Sequence, residues 1–347
     1  AVLGTPTRTF TYGTVIPFFF IGGTRLEFSA ALAFGVYITI VSSVLMLLYF
    51  RLTAKEEKYT TISGSGRGGS KEYELGTISK LAVLGIFGLY IFVAGIAPVL
   101  VTIWDSILPT FNYTLDVSVW TLETYSTLFA GEAFGISAWW RTVRNTVIAG
   151  LVVPTLAMLA ALLISYSDQT LDLPFGNVFS YIGSAPLAVP SIALGLGFLV
   201  TFIQTPLYGT AGILLVAFLG RAIPIAMRYT SPGLVKIGKE NVEASNISGY
   251  RELRTFKNIV FPLVKPDFTS GWLHIFVFAT RNVTIAVLLY SAGSELIAIE
   301  LLFALQDGYF KMASTMAVIL TFLSAGPFLL LHYRRAKQRG SSPAIEG

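Results

Sequence analysis

Residues 243–262 read EASNISGYRELRTFKNIVFP, and this polar stretch lies between two long apolar runs. A polar segment in that position is a loop at a membrane face, because lipid offers no partners for irregular backbone and polar side chains. Its internal pattern is Glu243-Ala244-Ser245, three residues, Gly249, nine residues, then Ile259-Val260-Phe261-Pro262. Val242 to Ile247 suits a short helix, with Gly249 at its C-terminal cap, where a left-handed conformation costs glycine least. A second helix fits 250–260. It carries Leu253, Phe256 and Val260 on one stripe and Arg251, Arg254 and Lys257 on another. Pro262 disfavours a helical conformation at Phe261, and so predicts a separation between this unit and the next apolar run. Two short helices about a hinge make a compact knob. Its apolar stripe suits a groove on a partner or, as an amphipathic hairpin, the surface of anionic lipid.

The rest of the chain supports the membrane reading. Of 347 residues, 54% are hydrophobic and 12% charged, with a mean hydropathy of +0.70. Soluble domains average about 25% charged residues. Apolar segments long enough to cross about 30 Å of hydrocarbon fall at 28–50, 81–104, 143–166, 176–201, 209–228, 268–290 and 312–332. They predict an all-α polytopic bundle of seven crossings, with 209–228 the weakest because Arg221 and Pro224 interrupt it.

Charge sets the expected orientation. Six Lys or Arg lie in 51–80, seven in 228–265 and four in 334–339, together seventeen of the 24 in the chain. Seven crossings place these three segments on one side, which the positive-inside tendency identifies as the cytoplasm. The opposite stretch, 105–139, carries Asp105, Asp116, Glu123 and Glu132 with no Lys or Arg. The net charge of +5 is therefore a topology signal, and it argues against nucleic acid as a partner.

Several other chemistries are disfavoured. The sequence has no cysteine, which excludes disulfides and thiolate metal sites. His274 and His332 are its only histidines, too few for a histidine metal site, and both read as packing or interfacial residues. No catalytic constellation stands out, and no cofactor is expected. The run GSGRGGSK (64–71) has two correctly spaced glycines, but Ser70 sits where a phosphate-binding loop needs lysine and Lys71 where it needs Ser or Thr. A Gly/Ser-rich flexible linker is the better reading. The sequon Asn112-Tyr113-Thr114 carries no weight.

Within the crossings, Arg221 and Arg281 are costly at depth and face either a cavity, a neighbouring helix or, by snorkelling, a membrane face. Pro186 and Pro190 create local breaks, so 184–197 is either a pathway wall or a kinked packing helix. Arg141 and Arg144, at the start of a crossing, read as interfacial. Pro186, Pro190, Arg221, Arg281 and Asn282 are the candidate pathway residues.

The spacing of 243–262 resembles the EAA loop of ABC importer permeases (Glu-Ala-Ala, three residues, Gly, nine residues, Ile-x-Leu-Pro). It matches at Glu243, Ala244, Gly249, Ile259 and Pro262, while Ser245 replaces the second alanine and Phe261 the leucine. The segments 184–199, 205–215, 220–228 and 288–318 follow the order seen in such permeases. They look most like two-half permeases of iron(III) importers and of relatives for thiamine and phosphonates. The family often has Arg-Glu where this chain has Arg281-Asn282.

The resemblance implies a type I importer permease fold. Residues 81–333 would form one half of six crossings, with a cytoplasmic coupling loop at 237–262. Residues 1–50 would be the remnant of a preceding half, 51–80 a cytoplasmic linker, and 334–347 a basic cytoplasmic tail. It implies a plasma (inner) membrane location and separate cytoplasmic ATP-binding subunits that hydrolyse the ATP. An extracytoplasmic solute-binding protein and a second permease half are the other implied partners. The implied coupling residues are Glu243, Ala244, Ser245, Gly249, Arg251, Arg254, Ile259 and Pro262. Iron(III) is the solute the resemblance favours. An ion-coupled secondary transporter needs buried carboxylates, which are scarce here, and a membrane enzyme needs convergent polar residues at one face.

Overall fold

The computed structural model describes residues 25–53, 76–109, 116–131, 139–169, 176–237, 245 and 252–340. Among them the regular elements are helices: α1 (Arg25–Thr53), α2 (Thr77–Ile107), α3 (Glu123–Ala130), α4 (Trp139–Gln169), α5 (Gly176–Ser184), α6 (Ser191–Phe202), α7 (Ala211–Val235), α8 (Phe261–Arg281), α9 (Val283–Leu289), α10 (Ile297–Gln306) and α11 (Phe310–Gly340). Four helices are long and apolar enough to cross a membrane singly (α2, α4, α7 and α11), and two bent pairs, α5–α6 and α8–α9, bring the number to six. The apolar part of α1, Leu32–Leu45, is shorter.

Hydrophobicity alone gives helices in lipid no reason to associate, so close backbone approach and hydroxyl bonds hold such a bundle together. The core follows that rule. Ala149, Val153, Ala157 and Ala161 of α4 pack with Ala217, Ala222 and Ala226 of α7 and Ala279 of α8. A Cβ on Gly271 would lie 2.8 Å from Met158 Sδ and 2.9 Å from Tyr229 Cγ, so α8 touches α4 and α7 because that residue has no side chain. The Ser165 and Thr230 hydroxyls bond at 2.9 Å between α4 and α7, and Thr280 and Ser324 at 3.2 Å between α8 and α11. By contrast, the apolar residues of α2 from Ile78 to Val93 are exposed, as a lipid-facing surface would be.

Three of the expected segments differ from what the structure shows. Residues 176–201 are not one straight crossing, since α5 and α6 meet at 106°. The break comes where Pro186 and Pro190 remove backbone donors, with a 3-10 turn at Ala185–Leu187. Ser180 bonds Asp168 at the end of α4 (2.6 Å), the elbow sits beside Arg221 in the middle of α7, and α6 ends just before α7 begins. Neither Arg221 nor Pro224 interrupts α7, which runs on to Val235. The segment 268–290 instead begins at Phe261 and bends 47° at Asn282.

The expected separation at Pro262 is absent. Helical structure runs from Glu252 through a π turn at Phe256–Val260 into α8, with Phe261 at φ −61°, ψ −44°. The physical reason is the π turn. The Phe261 N–H bonds the Phe256 carbonyl five residues back, and the wider turn gives the ring of Pro262 room beside the preceding carbonyls.

α1 packs through Leu32, Phe34 and Ile38 on Ile192 and Leu196 of α6. Residues 54–75 of the linker, the sequon, Glu132, Glu243, Ala244, Gly249 and Arg251 lie outside the described residues.

Candidate functional site

Two regions carry the polar features a membrane bundle has least reason to keep. The first is the end of the bundle where α4 and α7 finish and α8 starts. There Leu162, Tyr166, Leu234, Ile237, Val260 and Val264 form a small apolar cluster. An aromatic series runs along it: Tyr166 to Phe256 (5.3 Å between centroids), Phe256 to Phe261 (6.4 Å), Phe261 to Phe268 (5.7 Å).

This packing corrects one expectation. Phe256 and Val260, read as a stripe for a partner's groove, are turned into the chain's own cluster. The reason is that the helix continues into α8 and must cover the ends of α4 and α7. Arg254 and Lys257 remain at the surface, Ile259 is half-buried and Pro262 exposed.

Ser245 is helical and 5% exposed, and its hydroxyl bonds that of Thr255 at 2.8 Å; Thr255 is fully buried. Thr255 escaped the sequence reading. Its only signal was its place one residue after Arg254, on the side of that helix away from the basic edge. The substitution of serine for the second alanine thus comes with a hydroxyl partner ten residues on.

The second region is the interior of the span. Pro186, Pro190 and Arg221 come together. Arg221 Nη1 donates to the carbonyls of Pro186 (2.7 Å), Val189 (3.2 Å) and Leu187 (3.4 Å). A guanidinium at depth is tolerated when its donors are satisfied, and here it supplies partners to carbonyls stranded by the break. Arg221 is thereby a structural clasp for the elbow. Arg281 and Asn282 lie apart from that group. Asn282 caps α9, its Oδ1 accepting from the Ile285 N–H at 3.1 Å. That is a role asparagine performs well. Arg281 is exposed and lines a cleft of about 240 Å³ with Thr102 of α2 and Thr321 of α11.

A third feature, at the opposite end of the bundle, was missed. Arg141 Nε and Nη2 donate to the two Glu295 oxygens at 2.9 and 2.8 Å. The Gly293 N–H adds a bond to the same carboxylate at 2.7 Å. Asn145 Nδ2 donates to the carbonyls of Gly293 and Glu295, and the Thr146 hydroxyl accepts from the Ile297 N–H. Burial pushes the Glu295 carboxyl up, but the Arg141 guanidinium and the Gly293 N–H outweigh it and hold it below the ordinary glutamate value. The partners are about 150 residues apart in sequence, a separation no local pattern reveals.

Among the described residues, His274 included, no group of three His, Asp or Glu is placed to hold an ion. One His274 ring nitrogen, Nδ1, lies 2.7 Å from the Tyr229 hydroxyl.

No family model matches the chain. It is 28% identical over 305 residues to the ferric transport system permease protein FbpB of Actinobacillus pleuropneumoniae, covering 87% of this chain and 43% of that protein. A putative FbpB of Haemophilus influenzae is 27% identical over 283 residues, covering 80% and 43%. The molybdate/tungstate transport system permease protein WtpB of Thermococcus kodakarensis is 22% identical over 191 residues, covering 55% and 76%. A solved structure of the MetNI methionine ABC transporter in inward-facing conformations has a TM-score of 0.44 and 16% identity, covering 60% of this chain and 94% of that one. The chain spans less than half the length of the ferric relatives it matches. The chain is thus similar to permease proteins of transport systems, and its described residues are helical, with four to six candidate membrane spans.

Proposed function

We propose that this chain forms half of the membrane pathway of an ATP-driven importer, and that the segment at 237–262 is where separate cytoplasmic ATP-binding subunits push. The observation that carries this reading is the unbroken run from Glu252 through the π turn into α8. Force applied at the basic edge of Arg254 and Lys257 reaches the middle of the bundle along one helix, without crossing a flexible joint. The Ser245–Thr255 bond ties the preceding loop to that lever. Glu243, Ala244, Gly249 and Arg251 complete the docking knob by their place in the EAA-like spacing.

With the broken α5–α6 pair counted as one crossing, the four crossings from α2 to α7 put 51–80 and 228–265 on a common side, and α8–α9 with α11 return the tail to it. Had that pair turned back instead, 51–80 and 228–265 would lie on opposite faces, against the positive-inside tendency. The C-terminal end and residues 51–80 are therefore cytoplasmic in this proposal, and the acidic stretch 105–139 faces the binding protein. Residues 1–50 supply the last helix of a preceding half; the second half comes from that preceding part or from another chain. ATP hydrolysis resides in the partner subunits, which favour one conformation by binding it more tightly.

Iron(III) is the cargo this reading favours, on the strength of the two ferric relatives. The test is co-purification with the ATP-binding subunit together with uptake of labelled iron into proteoliposomes, comparing the native chain with Gly249→Pro and Glu243→Arg. Both variants are expected to insert normally and lose ATPase association or coupled uptake. Full ATP-driven uptake in both would refute the coupling assignment, and uptake that collapses with the membrane potential while ATP persists would favour an ion-coupled carrier.

A further inference from the structure

We infer that one face of α8, marked by Asp267, Ser270, His274 and Arg281, lines an aqueous route for a small hydrophilic solute; this rests on the importer reading above. The four residues are spaced three, four and seven apart, which keeps them on a single side of a helix with 3.6 residues per turn. His274 and Arg281 are exposed, and Asp267 and Ser270 are half-buried. Between them lie fully buried positions such as Gly271, Ile275 and Ala279, which face α4 and α7. Asp267, at the start of the stripe, pairs with Lys236 just past α7 at 3.4 Å, and the positions beyond it face a gap bordered by Tyr229 and Phe328.

That side does not suit lipid. His274 sits thirteen residues into α8, about 20 Å along its axis, and inside the apolar segment expected at 268–290. An ionisable side chain in a span faces a partner, a cavity or a pathway. Its one observed hydrogen bond is to Tyr229, itself polar and brought from α7. The surrounding space has the shape of a route. A cavity of about 450 Å³ is lined by Tyr229, Ser270, His274 and Val277, with Phe328 of α11 forming its far wall. A second, separate cleft lies between α2 and α11, and Arg281 at the end of the stripe borders it with Thr102 and Thr321. Because α8 is the direct extension of the coupling segment, movement there shifts every group on the stripe together.

The absence of native cysteine makes a clean test available. Single cysteines are placed at Ser270, His274 and Val277, and at Leu156, which is exposed on α4. The assembled transporter, in membrane vesicles open to reagent on both sides, is treated with a charged, membrane-impermeant methanethiosulfonate. Reaction needs the thiolate, which forms in water and is suppressed in apolar surroundings, so stripe positions should react at least about tenfold faster than Leu156→Cys. Their rates should also change when the ATPases are held in the ATP-bound state, which a static packing role would not produce. Ser270→Cys and Val277→Cys are small changes that keep the test valid if His274→Cys folds poorly. Rates equal to that of Leu156→Cys at all three positions, in a preparation that still shows ATP-driven uptake, would overturn the inference and leave the importer reading standing. Loss of ATP dependence in the unmodified transporter would instead overturn that reading.

Discussion

Replacing Thr255 by valine should loosen the coupling segment by a calculable amount. Valine keeps the shape of threonine and removes its hydroxyl. Ser245, only 5% exposed, then loses the partner it holds at 2.8 Å. Leaving a buried hydroxyl unsatisfied costs about 1–3 kcal/mol, so the docked arrangement of 245 against 255 should weaken by roughly five- to 150-fold. Local opening governs hydrogen exchange, and amides of 252–260 should lose protection by that factor while those of α4 and α7 stay unchanged. Thr255→Ser, which retains the hydroxyl, should keep most of the protection. The double variant Ser245→Ala/Thr255→Val should recover most of it, because removing both partners leaves nothing unsatisfied. Coupled ATPase activity should follow the same order. If Thr255→Val exchanges like the native chain, or the double variant is worse than the single, the hydroxyl pair does not hold the segment and the argument fails.

Three other outcomes follow from the packing. Gly271→Val should destabilise the bundle by about 1–3 kcal/mol, seen as a lower melting temperature in detergent, since even a Cβ there would stand 2.8–2.9 Å from Met158 and Tyr229. Gly271→Ala should cost less, as the flexible Met158 end can shift. Arg221→Met should strand the Pro186, Leu187 and Val189 carbonyls and lower stability and uptake together; Arg221→Lys should restore part of both, and uptake lost with stability intact would point to a cargo contact instead. The Glu295 carboxyl is held below its ordinary value, so its clasp contributes fully above that value and is lost as pH falls through the depressed one. Protection of the Gly293 and Ile297 amides, relative to their intrinsic exchange, should fall in acid, and Glu295→Gln should abolish that pH dependence.

The bundle was legible because lipid imposes long apolar runs, and α2, α4 and α11 begin and end within eight residues of the expected limits. Bends were harder. Pro186 and Pro190 announced the elbow, yet Pro224 and Pro232 sit inside an intact α7, because neighbouring helices can absorb a missing donor and a sequence does not show which ones do. Pro262 misled for a related reason: the π turn that accommodates it is a property of five residues rather than of one. The role of Arg221 was also hidden, since a charge at depth signals a need for partners without naming the Pro186 carbonyl that meets it. Arg141 and Glu295 pair only through the folded bundle.

The π turn at Phe256–Val260 has a geometric corollary. It holds one residue more than an α turn would, and each residue of an α-helix advances the azimuth by about 100°. Arg254 and Lys257 are therefore rotated by roughly that angle about the axis of α8 compared with an uninterrupted helix. Deleting any one residue from 256–260 would anneal the coil and swing the cationic edge more than a quarter revolution away, leaving composition and length almost untouched while redirecting the handle.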